Sequence, residues 1–246
     1  MNELSIWCRS HGSTGDYGVF RSAADLVAAG TSDTVVSVAS GADLLDVIES
    51  LQGEAKYDKV VIAAHGGTSW LLDDLHGVTT RKRRYHDQVT IVELADSLAG
   101  VLADDPLISL AACMCSRSPT TWLREHLGRV DSDWGPRAYR PGGQASFSAR
   151  LRDSLWHLHS IRARVRGHRA SGHATALALL AEHRVDAADV CGPCTTLFER
   201  SLDTTPPDGP ARRWWTRHVT GSLARRWLLG DDTVEGEIRA MWLASH

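Results

Sequence analysis

The chain has 246 residues, enough for one large α/β domain with a substantial core, and its 43% hydrophobic and 23% charged residues are ordinary for a globular protein. A formal net charge of −3 excludes a whole-chain bias toward nucleic acid or an anionic membrane surface. No apolar run approaches the roughly 20 residues that a membrane-spanning helix needs, and the 12 His are scattered rather than gathered in a metal-binding tract.

The start, Met1-Asn-Glu-Leu-Ser-Ile-Trp7, has no basic region leading into a long apolar stretch, so no export signal is expected and a cytoplasmic location follows. The five cysteines are then expected as free thiols unless catalysis or a metal uses them. Residues 4–8 read as a first strand, followed by a polar glycine-rich loop at 11–18 and a helix at 21–29. A second strand is predicted at 34–39. Residues 41–51 form an apolar 3.6-residue repeat through Leu44, Leu45, Val47, Ile48 and Leu51, which predicts a helix with Gly53 as its C-cap.

Two short apolar runs come next, each rich in β-branched residues and each reading as a buried strand of a parallel sheet. Lys59-Val-Val-Ile-Ala-Ala-His65-Gly66-Gly67 ends in a histidine and glycines, and Leu107-Ile-Ser-Leu-Ala-Ala-Cys113 ends in a cysteine. Between them lie a polar stretch at 73–88 and an amphipathic helix at 90–102, with Pro106 expected to stop the helix before the second strand. Beyond Cys113 the sequence predicts an irregular segment at 116–143 with a short helix near 121–127, then a helix at 144–157. Residues 161–166 alternate cleanly and read as a half-exposed strand suited to a sheet edge. Further helices are predicted at 174–183 and 195–202, a breaker-rich linker at 203–210, and two Arg- and Trp-rich helices within 211–246. The recurring strand–helix order implies a three-layer α/β/α sandwich with a mostly parallel central sheet, over residues 1–202, plus the small helical C-terminal extension at 211–246.

In a parallel sheet, ligands bind beyond the carboxyl ends of the strands. A His and a Cys delivered there by neighbouring strands suit a nucleophile and its base. The order of Ala64-His65-Gly66, one helix, then Ala112-Cys113, at the ends of two apolar strands, resembles the caspase-like cysteine peptidases, a superfamily that includes metacaspases, gingipains and the CHAT domains. The resemblance runs over residues 4–169 and lacks the caspase Gln-Ala-Cys-Arg-Gly signature.

The resemblance implies a cysteine endopeptidase acting on polypeptide substrates, with Cys113 as nucleophile, His65 as general acid/base, and the backbone N–H groups of Gly66 and Cys113 as oxyanion donors. It implies no required cofactor, although some relatives need Ca²⁺ or a protein activator. A lone strand-end His is usually structural and a lone buried Cys usually core, so the reading rests on their joint placement. The alternative is a caspase-like module that binds or scaffolds without catalysis.

A weaker alternative is a thiol redox or zinc protein. Cys113-Met-Cys115 and Cys191-Gly-Pro-Cys194 together offer four thiolates, and the second motif matches a thioredoxin-type dithiol if a strand precedes it and a helix follows. Arg81, Lys82, Arg83 and Arg84 follow the His65 strand, so they fit a solvated loop, a self-processing site or a basic rim. Cys115 lies past the strand end and is a weaker nucleophile candidate than Cys113. The C-terminal Arg212-Arg-Trp-Trp and Arg225-Arg-Trp clusters are expected to pack on the main domain; offsetting acidic residues nearby weaken a nucleic-acid or membrane reading.

Overall fold

Alternating and continuous apolar runs become strands here, and the 3.6-residue repeats become helices. The computed structural model describes residues 2–8, 35–53, 56–67, 70–71, 77–79, 87–112, 115–116, 146–168, 180–185, 197–201 and 221–244. In chain order its elements are β1 (Glu3–Cys8), β2 (Val35–Val38), α1 (Gly41–Ser50), β3 (Tyr57–Ala63), β4 (Trp70–Leu71), β5 (Val78–Thr79), β6 (Val89–Thr90), α2 (Ile91–Ala99), β7 (Leu102–Ala111), α3 (Phe147–His159), β8 (Arg164–His168), β9 (Leu180–Val185), β10 (Leu197–Ser201), α4 (Gly221–Leu228) and α5 (Thr233–Ala244).

One sheet has the order β2-β1-β3-β7-β8-β9-β10. Its first five strands are mutually parallel, and β9 and β10 are antiparallel additions at one side. Side chains alternate between its faces. Leu4, Ile6, Val60, Ile62, Ile108, Leu110 and Val165 enter a core closed by Leu44 and Ile48 of α1, Leu94 and Leu98 of α2, and Phe147 and Leu151 of α3. Ser109 and Arg166 alternate to the opposite face, where the Ser109 hydroxyl and the Arg166 guanidinium donate to the Leu228 and Trp227 carbonyls of α4. The protein is therefore α/β with a mostly parallel central sheet, and helices lie on both of its faces.

Local chemistry sets the helix starts. Ser40 caps α1 by accepting from the Asp43 N–H at 3.1 Å, and Ser146 caps α3 by accepting from the Ala149 N–H. Thr90 and Glu93 form a reciprocal capping box on α2. The expected C-cap of α1 shifts: Leu51 caps the helix, and Gly53 supplies the left-handed residue, φ +89°, that turns the chain toward β3.

Several further sequence expectations are corrected. The helix at 90–102 ends at Ala99, and Pro106 lies inside β7 instead of stopping that helix. Tyr57 pairs with Leu102, but Lys59 pairs with Leu107, so β7 bulges between those pairs and Pro106 falls where no ladder N–H is required. The polar stretch after the His65 strand contains β5, part of a small sheet of order β4-β5-β6 whose Val78 and Val89 join the core.

The alternating Arg strand is not an edge: β8 lies between β7 and β9, and Arg166 is fully buried. Residues 180–183 and 197–201, expected as helical, are the strands β9 and β10. The pairing of β9 with β8, and of β10 with β9, overrode local propensity. The segments expected at 11–18, 21–29 and 116–143, apart from Ser116, and the linker at 203–210 lie outside the described residues.

A buried ion network explains why β8 tolerates two arginines. Arg166 Nε donates to Glu182 at 2.7 Å across the β8–β9 ladder, and a second guanidinium nitrogen donates to Asp232 in the α4–α5 turn. Its Cζ atom lies over the Trp227 ring, 4.3 Å from the centroid. Arg164 also donates to Glu182, at 2.9 Å, and to Asp232 at 3.1 Å. This network ties the C-terminal helices to the sheet.

Burial alone would raise the Glu182 pKa, but the Arg166 charge and hydrogen bonds from both arginines reverse that and hold it below the usual range. The Asp232 carboxyl is held down in the same way, its hydrogen bond from Arg166 and the two guanidinium charges outweighing its own desolvation. Groups with a depressed folded pKa stabilise the fold above their unfolded pKa, about 4, and lose that contribution as pH falls through the lower folded value. Asp153 acts oppositely: burial outweighs the neighbouring Arg152 and raises its pKa, which favours folding as pH falls. Urea unfolding of the wild type should therefore show a stability loss below pH 4 that is smaller in Glu182→Gln. Parallel pH curves for the two proteins would contradict the network's role.

Candidate functional site

The carboxyl ends of β3 and β7 are adjacent because these strands pair directly and in parallel. Their last registered pair is Ala63 with Ala111, and neighbouring strands lie about 4.8 Å apart. Pairing extends one residue further, where the Ala64 N–H donates to the Ala111 carbonyl at 3.3 Å. Ala63, Ala64, Ala111 and Ala112 are all fully buried, so both strand ends are held by the core.

His65 follows at once and is half-buried. Gly66 and Gly67 are buried, and Gly66 forms an antiparallel bridge with Leu71, the buried end of β4. That bridge couples the His65 turn to the small sheet. Gly66 is not among the positive-φ glycines, which are Gly53 and Gly230 in the described residues, so left-handed backbone is not what a glycine provides there.

Cys113 stands two residues past Ala111 in sequence, as His65 stands two past Ala63; Cys113 itself lies outside the described residues. The same holds for Arg81, Lys82, Arg83, Arg84, Cys191 and Cys194.

Two other cysteines are described, and both are buried. Cys8 ends β1, beside β3, so it also reaches the carboxyl edge of the sheet. Its burial, with the nearby Asp43 charge, pushes the thiol pKa strongly upward, which makes it a poor nucleophile. Cys115 is fully buried, and its thiol donates to the Ala112 carbonyl at 3.2 Å. Its sulfur belongs to the packing between β7 and β8.

The helix expected at 195–202, after Cys191-Gly-Pro-Cys194, is replaced over Leu197–Ser201 by the strand β10. Among the described residues no group of three or more His, Cys, Asp or Glu side chains is placed to hold a metal. In the same residues no helix is long and apolar enough to cross a membrane.

The β8 terminus brings a further histidine to the carboxyl edge of the sheet. His168 is buried, and its carbonyl accepts from the Ser116 N–H at 2.9 Å. The Arg166–Glu182–Asp232 network went unseen in the sequence; its signal was the Arg-x-Arg alternation in a strand with too few apolar residues for its buried position. Comparison of the chain with protein-family models, characterised proteins and solved structures gives no match.

Proposed function

We propose that this chain is a cysteine endopeptidase with a caspase-like three-layer fold, using Cys113 as nucleophile and His65 as general acid/base. The observation that carries the reading is the register of β3 on β7. Two parallel neighbours end at the paired residues Ala63 and Ala111, and each is followed two positions later by one member of the pair.

The chemistry needs only these groups. His65 takes the Cys113 thiol proton, the sulfur attacks the scissile carbonyl carbon, the peptide C–N bond breaks, and His65 passes that proton to the departing amine. Water then attacks the thioester while His65 accepts its proton, which releases the carboxylic acid and regenerates the thiol. Backbone N–H groups of Gly66 and Cys113 stabilise the oxyanion in both steps. The burial of Cys8 and Cys115 supports Cys113 as the sulfur available for this role.

Incubation of the purified chain with a denatured protein substrate, followed by sequencing of new N-termini, tests the activity. New termini that vanish in Cys113→Ala are expected; identical cleavage by that variant would overturn the reading. A new N-terminus after one of Arg81 to Arg84 would identify the basic run as a self-processing site.

A further inference from the structure

We propose that Cys115, Ser116, Ser148 and Gly167 form a buried clasp that positions Cys113, an inference that rests on reading Cys113 as the nucleophile. The chain is anchored immediately before Cys113, at Ala112, and again immediately after Met114, at Cys115. The second anchor has contacts in three directions. The Cys115 thiol reaches back to the Ala112 carbonyl at 3.2 Å, and the Cys115 carbonyl accepts from the Ser148 N–H of α3 at 2.9 Å. The Ser116 N–H donates to the His168 carbonyl at the end of β8 at 2.9 Å, and the Ser116 hydroxyl donates to the Ser148 hydroxyl at 2.7 Å.

Gly167 makes this convergence sterically feasible. It pairs with Leu110 on β7, and a Cβ at this position would lie 2.5 Å from Cys115 Sγ, 2.6 Å from Ser116 Oγ and 2.9 Å from Ser148 Oγ. Three polar side chains therefore fill the space that a larger residue would take. Cys115, Ser116 and Ser148 are all within 2% of complete burial.

An apolar core would not need these directed bonds, since it could be filled with methyl groups. Their partners are the backbone of β7, of β8 and of the first turn of α3. Together they leave only Cys113 and Met114 between fixed points. Cys115 and Ser148 are thus positioning residues, acting through the chain that carries Cys113.

The test compares full-length wild type with Ser148→Ala, Cys115→Ala and Gly167→Ala. Two quantities are measured: the pH profile of Cys113 alkylation by iodoacetamide, located by mass spectrometry, and kcat and KM on a peptide that the wild type cleaves. Displacing a reacting atom by about 1 Å costs on the order of 100-fold. Gly167→Ala is therefore expected to lower kcat by roughly 10- to 100-fold with little change in KM, and to shift the alkylation profile.

Ser148→Ala and Cys115→Ala should do the same to a smaller degree, and they keep the test in force where Gly167→Ala does not fold. Folded variants whose alkylation profile matches wild type overturn the clasp, whether or not peptide is cut. A shifted alkylation profile in a wild-type background that cleaves no peptide supports the clasp and overturns the peptidase reading alone.

Discussion

Cys113→Ala and His65→Ala are each expected to lower kcat/KM by at least roughly 10⁴-fold, with the double variant no worse than Cys113→Ala. The non-additivity is the informative part. Without the sulfur no thioester forms, so the imidazole has no leaving group to protonate and its removal costs nothing further. Two independent contributions would instead multiply. His65 lies beyond the end of β3 at Ala63, and β7 ends at Ala111; thermal unfolding should change little while activity collapses. Steady-state kinetics on one peptide, with circular dichroism on the same samples, separates the two effects. Retention of full activity by either single variant would remove that residue from the mechanism.

The largest stability effect is expected at Glu182. Its side chain and that of Arg166 are both fully buried, and they form a 2.7 Å ion pair across β8 and β9. Removing one partner of such a pair generally costs about 3–5 kcal/mol, because the other charge is left desolvated. Glu182→Ala should fall near the lower end, about 3 kcal/mol, because Asp232 still faces the guanidinium.

The cost should then shrink when Arg166 is replaced as well. Arg166→Met with Glu182→Leu removes both charges, and apolar pairs of similar volume often match or exceed a buried ion pair. A double-mutant cycle by urea unfolding gives the coupling directly. Additive losses would mean that the two side chains do not act as a pair. The same variants bear on the C-terminal helices, since Arg166 is also bonded to the Trp227 carbonyl and stacked on its ring. Loss of Trp227 burial, read from its fluorescence, should accompany Arg166→Met.

The central strands were legible because they are apolar runs, interrupted only by Ser109. Val60 to Ala64 and Leu107 to Ala112 are buried on both sides, and such segments announce themselves without knowledge of their neighbours. The capped helices α1 and α2 were legible for a related reason: their apolar repeats and Ser40 or Thr90 caps are local features.

What could not be read locally was everything decided by a distant partner. Arg164 and Arg166 look solvent-facing until Glu182 and Asp232 are brought beside them from 16 to 68 residues away. Residues 180–183 look helical until β8 offers a strand edge to pair with. Pro106 looks like a terminator until the bulge against Tyr57 and Lys59 gives it a place without a ladder bond.

The candidate site was legible as a pattern of two strand ends. Its framing was not, because the contacts of Ser116 with His168 and of Cys115 with Ser148 join segments that are far apart in the chain. The burial of Cys8 is a further lesson. It ends a neighbouring parallel strand, so position alone would have admitted it, and its burial is what removes it as a nucleophile.

Covalent capture of Cys113 tests the central claim most directly. The folded chain is incubated with a peptide carrying a thiol-reactive electrophile, and the adduct is counted and located by mass spectrometry. One adduct per chain is expected, at Cys113, formed much more slowly in His65→Ala and absent from Cys8 and Cys115. A folded chain that takes no adduct at Cys113, or that labels there at the same rate without His65, would contradict that claim.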